Sequence, residues 1–104
     1  MEEKVNIIIV DDHEIFRGGL KLLLNRLKYV SFVYEATNGQ VFLEFLEKTP
    51  VDIVLMDIEM PIMNGIEATK KALIINPKLK IIALTMFNNE EYIESMIDAG
   101  VKGF

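Results

Sequence analysis

The stretch VDIVLMDIEMPIMNG, residues 51–65, decides how this chain folds. It begins with an apolar run, Ile53–Met56, whose lack of polar alternation predicts a strand buried on both faces, as in a parallel sheet. The run ends in one carboxylate, Asp57, and a short loop with Pro61 and Gly65 follows. Ligands bind at the carboxyl ends of strands in open α/β sheets. Asp57 is therefore the first candidate for a functional residue.

Strand-like and helix-like patterns alternate along the whole sequence. The predicted strands are Val5–Val10, Phe32–Ala36, a run that ends at Asp57, Ile81–Leu84, and a fifth that starts in Val101–Phe104. The predicted helices run from Glu14 to Lys28, from Gly39 (capped by Asn38) to Lys48, from Asn64 or Gly65 to Asn76, and from Glu90 to Gly100. The order βαβαβαβαβ predicts an α/β fold with a parallel sheet and helices on both faces. A flavodoxin-like, doubly wound sheet with strand order 2-1-3-4-5 fits this pattern.

The first predicted helix carries an apolar face and two adjacent glycines. Its apolar residues at helical spacing are Phe16, Leu20, Leu23, Leu24 and Leu27. Arg17, Lys21 and Lys28 lie opposite, which predicts one buried face and one solvated basic face. Gly18 and Gly19 each cost roughly 1 kcal/mol relative to Ala inside a helix. We interpret them as positions of close packing against the sheet.

The composition is that of one folded domain. The chain has 104 residues, 51% of them hydrophobic, which is enough for one core and is not a disordered composition. The net charge of −5 argues against non-specific nucleic-acid binding by this segment. Cysteine is absent, so disulfides and thiolate metal sites are excluded. No signal peptide or membrane-spanning run is predicted, and we expect a cytoplasmic protein with no membrane partner.

Polar residues follow three of the predicted strands. Asp11 and Asp12 follow strand 1, Asp57 ends strand 3, and Thr85 follows strand 4. In the predicted order, strands 1 and 3 flank the switch point of the sheet, so these side chains converge there. Clustered carboxylates are relieved by a raised pKa or a bound cation, and oxygen ligands favour Mg²⁺, or Mn²⁺ in its place. A carboxylate beside such a cation can act as a nucleophile and form an aspartyl phosphate.

These motifs resemble those of the response-regulator receiver domain of bacterial two-component signalling. The resemblance rests on Asp11-Asp12, on Asp57 within the sequence MDIEMPIMNG, and on Leu84-Thr85, and it covers essentially residues 1–104. The sequence DDHEIFRGGL, residues 11–20, resembles the subfamily in which a LuxR-type helix-turn-helix output domain follows the receiver. The resemblance implies a phosphoacceptor switch that a sensor histidine kinase phosphorylates with Mg²⁺ and that controls transcription. Contact with DNA is then expected only through an output domain outside this chain.

The resemblance also implies a role for individual residues. Asp57 matches the phosphoacceptor and, with Asp12, a direct Mg²⁺ ligand. Asp11 matches a ligand through water, and Glu59 matches a ligand through its backbone carbonyl. Thr85 matches the switch hydroxyl. Phe104 matches the aromatic position whose rotamer follows that hydroxyl.

One family feature has no counterpart in this sequence. The family carries a Lys at the end of strand 5, and counting from Thr85 places that position just beyond Phe104. The last helix of the family is missing as well, so we expect a receiver that is cut short. The chain still contains the nucleophile and the metal ligands that phosphoryl transfer to Asp57 needs. The strand-5 side of the sheet is left uncovered, and we expect self-association or exchange of elements through it.

Two other functions compete with the phosphoacceptor switch. A degenerate receiver would bind partners without accepting phosphate, and the absent Lys favours that alternative. A Mg²⁺-dependent phosphatase of the haloacid-dehalogenase kind needs a second Asp two residues after its nucleophile, where this chain has Glu59, and there is no room for a cap domain. We therefore do not expect a turnover enzyme. His13 is interpreted as the residue that starts helix 1, because the metal site already has oxygen ligands.

Overall fold

A computed structural model describes residues 4–84 and 90–104 of the protein. Strands and helices alternate through this part of the chain as the sequence predicts. The strands are β1 (Val5–Val10), β2 (Val30–Ala36), β3 (Ile53–Asp57) and β4 (Lys80–Leu84), and the helices are α1 (Glu14–Leu24), α2 (Gly39–Lys48), α3 (Gly65–Ile75) and α4 (Glu90–Ala99). None of the helices within these residues is long and apolar enough to cross a membrane.

The four strands are parallel and lie in the order β2-β1-β3-β4. This confirms the flavodoxin-like arrangement, with the switch point between β1 and β3. Where a fifth strand was predicted, the chain forms one parallel bridge between Gly103 and Ile82. Lys102 N–H donates to the Ile81 carbonyl at 2.7 Å, and Ala83 N–H donates to the Gly103 carbonyl at 2.8 Å. The segment thus lies beside β4, as the predicted order requires, but it is too short to be a strand.

The two faces of the sheet are covered unequally. On one face, Val54, Met56 and Ile81 are fully buried in a core that α2, α3 and α4 complete with residues such as Phe42 and Met96. On the other face α1 packs over β1 and β2, where Leu20 and Leu24 lie against the buried residues Ile7, Ile9, Val30 and Val33. The side chains of β3 and β4 on this second face, Ile53, Leu55, Ile82 and Leu84, are only partly buried.

The predicted buried face of α1 is wrong in part. Phe16 and Leu23 are exposed, whereas Arg17, predicted to face solvent, is buried. The guanidinium explains the difference, because it donates to the backbone carbonyl of Asp11 at 2.6 Å and to the carboxylate of Glu35 on β2 at 3.0 Å. An Arg can bury its apolar stem when its charged end finds such acceptors.

The first helix also ends earlier than predicted. It stops at Leu24 rather than at Lys28. The next backbone hydrogen bonds, from Arg26 to Leu23 and from Leu27 to Leu24, span three residues rather than four. Such tighter turns are common where an α-helix ends.

The glycines of α1 do not pack against the sheet, contrary to the prediction. Gly18 and Gly19 are exposed, and a Cβ at either position would meet no heavy atom of the described residues within 4 Å. Gly65, at the start of α3, is different: its N–H donates to the Ile58 carbonyl at 2.8 Å, and a Cβ there would collide with the backbone carbonyl of Asp57. A close approach that requires a glycine therefore lies beside the backbone of Asp57.

We predict opposite effects on stability for alanine at these two kinds of glycine. Gly65→Ala should lower the free energy of unfolding by about 2–3 kcal/mol, because the loop must move away from Asp57. Gly18→Ala, the matched control, should raise the free energy of unfolding by about 0.5–1 kcal/mol through the better helix propensity of Ala. Urea unfolding of both variants checks this, and equal effects of the two substitutions would contradict the packing described above.

Candidate functional site

Parallel pairing of β1 with β3 brings the acidic residues together. Val10 is in register with Met56, so Asp11 and Asp57 follow at the same edge of the sheet. Single ligand atoms of Asp11, Asp12, His13 and Asp57 all lie within 4.8 Å of one another. The predicted convergence of three carboxylates therefore occurs in the structure. The fourth member of the group, His13, was not predicted to be part of it.

Asp57 is the buried end of this cluster. The residue is only 8% exposed, and its Oδ2 atom has no hydrogen-bond partner among the described residues. Burial is the main reason that its pKa is raised from 3.8 to about 6, and the charge of Asp11 adds to the effect. Asp11 is also buried, at 3% exposure, whereas Asp12 is exposed. A buried, unpaired acceptor beside two further carboxylates fits a hard divalent cation such as Mg²⁺.

His13 starts α1, as predicted, but its side chain does not cap the helix. Instead Nδ1 lies 2.9 Å from Asp11 Oδ1, 3.2 Å from Asp12 Oδ1 and 3.9 Å from Asp57 Oδ2. The hydrogen bond to Asp11 and the neighbouring negative charges raise the pKa of the imidazole. The sequence holds one signal of this arrangement, since His13 directly follows the acidic pair.

Arg17 fixes the turn that carries the acidic pair. Besides its hydrogen bond to the Asp11 carbonyl, it forms an ion pair with Glu35, which Lys21 joins at 3.3 Å. Within the turn, the His13 N–H donates to Asp11 Oδ1 at 2.7 Å. The orientation of Asp11 thus depends on contacts from both α1 and β2. Sequence reasoning missed Arg17 because the apolar periodicity of α1 placed it on the solvent side.

The loop after Asp57 links the cluster to α4. Glu59 is exposed in this loop, and a hydrogen bond to its carboxylate raises the pKa of Tyr92 on α4. Ile62 has a φ of +70°, a left-handed backbone conformation that is strained for a β-branched residue. The loop is therefore held in a defined shape by its contacts rather than by its local preference.

Of the remaining predicted site residues, Thr85 falls outside the described residues. Phe104 is half exposed and directly follows Gly103, which bridges to β4.

The fold and the site define a doubly wound α/β protein with a carboxylate cluster at the switch point of its sheet. The family model for the response regulator receiver domain matches residues 7–104. The chain therefore belongs to the response regulator receiver domain family, and the resemblance seen in the sequence is confirmed.

The relatives found by comparison are response regulators. The transcriptional regulatory protein DegU of Brevibacillus brevis is 35% identical over 103 residues, which cover 99% of this chain and 44% of that protein. The response regulator UvrY of Escherichia coli K12 is 35% identical over 100 residues, covering 96% of this chain and 46% of that protein. The chain thus spans about half the length of these curated relatives.

Solved structures show the same likeness. The isolated REC domain of RcsB from Salmonella enterica serovar Typhimurium, determined with the phosphomimetic BeF₃⁻, superimposes with a TM-score of 0.87 at 30% identity. The likeness covers 97% of this chain and 75% of that chain. A LuxR-family response regulator from Aurantimonas sp. SI85-9A1 gives a TM-score of 0.85 at 32% identity, covering 97% of this chain and 72% of that chain.

The raised pKa of Asp57 predicts a pH-dependent stability of the metal-free protein. Between pH 4 and 6 the folded state keeps a proton that the unfolded state has released, so stability falls as the pH rises. Asp57→Asn removes this ionisation. In EDTA at pH 7 we expect it to raise the free energy of unfolding by about 1–3 kcal/mol, and by close to zero at pH 4.

Urea unfolding at both pH values, with chelator present, measures this difference. Asp98→Asn on α4 is the control, because its exposed carboxylate lies outside the cluster. If Asp57→Asn is no more stable than the parent at pH 7, ionisation of the buried carboxylate does not destabilise the folded state and the prediction is wrong.

Proposed function

We propose that this receiver is a phosphoacceptor switch in which Asp57 takes a phosphoryl group from the phosphohistidine of a sensor kinase. The observation that carries the proposal is the buried Asp57 Oδ2, which lacks a hydrogen-bond partner in the described structure and lies at the switch point of the sheet. One oxygen of Asp57 attacks phosphorus as the N–P bond breaks. The leaving imidazole nitrogen then takes a proton.

The acidic residues have a second role as cation ligands. We assign Asp12 and Asp57 as direct ligands of Mg²⁺, or of Mn²⁺ in its place, Asp11 as a ligand through water, and Glu59 as a ligand through its backbone carbonyl. When bound, the cation neutralises charge that develops on the phosphoryl oxygens. Arg17 and the backbone of His13 hold Asp11 in place for this task.

The switch itself needs a route from Asp57 to an outer surface. For Thr85 and Phe104 we propose the roles that the sequence resemblance implies, a hydroxyl that turns toward the phosphoryl group and an aromatic ring that follows it. The contact of Glu59 with Tyr92 supports a second link, because it joins the loop after Asp57 to α4.

The output is proposed from the relatives. DegU is named a transcriptional regulatory protein, and RcsB has been solved in complex with DNA. We propose that the whole protein regulates transcription through a LuxR-type DNA-binding domain. The chain then acts as a kinase substrate with some self-catalysed transfer rather than as a turnover enzyme. Its cytoplasmic location stays a prediction.

Phosphorylation of Asp57 is tested by intact mass. After incubation with Mg²⁺ and acetyl phosphate, the parent chain should gain one phosphoryl group and Asp57→Asn should gain none. Gain in both would place the acceptor elsewhere. No gain in either would favour the degenerate receiver, and continued release of phosphate from many phosphomonoesters would favour the phosphatase.

We also propose that the 104-residue polypeptide associates with a second copy of itself through the partly exposed sheet face of β3 and β4. Apolar side chains of Ile53, Leu55 and Ile82 on that face are only partly covered. Burial of apolar area is worth roughly 25 cal/mol per Å², which favours a partner that covers them.

Sedimentation velocity over a range of concentrations tests this association. We expect the sedimentation coefficient to rise with concentration, and Leu55→Thr to reduce that rise, since Thr is less apolar than Leu but still favours a strand. Ile74→Thr on the exposed surface of α3 is the control and should leave the rise unchanged. A well-folded monomer at high concentration would rule the association out.

A further inference from the structure

We propose that His13 adds an imidazole nitrogen to the cation site, so that this receiver prefers a borderline transition-metal ion to Mg²⁺. The inference rests on the metal site of the proposed function but not on phosphoryl transfer. It concerns a residue whose side chain neither caps the helix nor belongs to the oxygen ligand set.

The distances from His13 fit a shared ion. Imidazole and carboxylate ligands lie roughly 2.0–2.2 Å from a transition ion such as Zn²⁺, so two ligands of one ion are at most about 4.4 Å apart. His13 Nδ1 lies 2.9, 3.2 and 3.9 Å from carboxylate oxygens of Asp11, Asp12 and Asp57. All three separations are within that limit, so each of these oxygens is close enough to Nδ1 to share an ion with it.

A second observation points to a ligand at the same place. Asp57 Oδ2 is buried and has no hydrogen-bond partner among the described residues. The imidazole does not satisfy it, because 3.9 Å is too long for a hydrogen bond. A cation between the two groups would satisfy both.

The helix does not hold the His13 ring. The N-cap position makes no side-chain hydrogen bond to α1, and the backbone N–H is already held by Asp11. The side chain is 64% exposed, so an ion can approach it from solvent. Ligation therefore costs no hydrogen bond to the helix, only the contacts of Nδ1 with Asp11 and Asp12.

The donor set determines the choice of ion. Mg²⁺ prefers oxygen ligands and keeps several waters, whereas imidazole suits Co²⁺, Ni²⁺, Cu²⁺ and Zn²⁺. If the ligands were carboxylates alone, the difference in affinity between Co²⁺ and Mg²⁺ would be set by the general order of divalent affinities. With His13 as a ligand, the preference for Co²⁺ becomes a property of one side chain and can be removed by substitution.

The test uses Co²⁺ and Mg²⁺ as the probes, measured by titration calorimetry without any phosphodonor. His13→Asn keeps a good N-cap residue and removes the imidazole. We expect it to weaken Co²⁺ binding at least about tenfold while changing Mg²⁺ binding by less than about threefold. Glu14→Gln is the matched control, since it is the exposed neighbour of His13 outside the cluster and should alter neither affinity.

A spectroscopic readout separates ligation from a change in charge. The electron-spin-echo signal of bound Cu²⁺ should show coupling to an imidazole nitrogen in the parent and in Glu14→Gln, and lose it in His13→Asn. Unchanged or tighter Co²⁺ binding by His13→Asn would overturn the proposal, because His13 would then be only a counter-ion that competes with the metal. Failure of Asp57 to accept phosphate, with the His13 effect intact, would instead overturn the proposed function alone.

Discussion

Parallel pairing of β1 with β3 places two buried carboxylates at one edge of the sheet, and the site depends on that constraint. Since Val10 is opposite Met56, Asp11 and Asp57 cannot move apart without breaking the register of the two central strands. Both strands are covered on the face of α2 and α3 by fully buried side chains, so the register is strongly specified. Repulsion between the carboxylates is thus enforced by the apolar core.

Two basic side chains, Arg17 and His13, lie near these carboxylates, and the apolar periodicity of the sequence does not predict their positions. Arg17 neutralises Glu35 and holds the Asp11 carbonyl, but it does not reach the carboxylates themselves in any described hydrogen bond. The His13 imidazole lies over Asp11 and Asp12, 2.9 and 3.2 Å from their carboxylate oxygens. Asp57 is left with a raised pKa and an unpaired oxygen. The residue that is least compensated is also the one proposed to accept a phosphoryl group.

Much of the fold follows from apolar periodicity, and its errors have a physical cause. Buried strands such as Ile53–Asp57 contain no polar alternation, and Asn38 and Asn64 cap their helices with side-chain oxygens, as their sequences indicate. The inward face of α1 was misassigned because a hydrophobic pattern cannot show that Arg17 donates to Glu35 on β2. Likewise, the low helix propensity of Gly18 and Gly19 was predicted to be offset by close packing of α1 against the sheet, and the part of the chain that the structure describes shows no such contact at these positions. The carboxylates were found because strand order alone brings their backbone positions together, whereas the place of the His13 ring depends on side-chain geometry.

The loop between β3 and α3 connects the cluster to the rest of the molecule. Gly65 permits the start of α3 to lie against the Asp57 carbonyl, and Ile62 takes a strained backbone conformation so that the loop can close over that short distance. Glu59, between them and Asp57, contacts Tyr92 of α4. A change of charge at Asp57 therefore acts on a loop that has little room to relax on the side of α3. On the side of α4 the loop borders a cavity lined by Ile58, Glu59 and Tyr92, which gives the proposed switch a physical route out of the site.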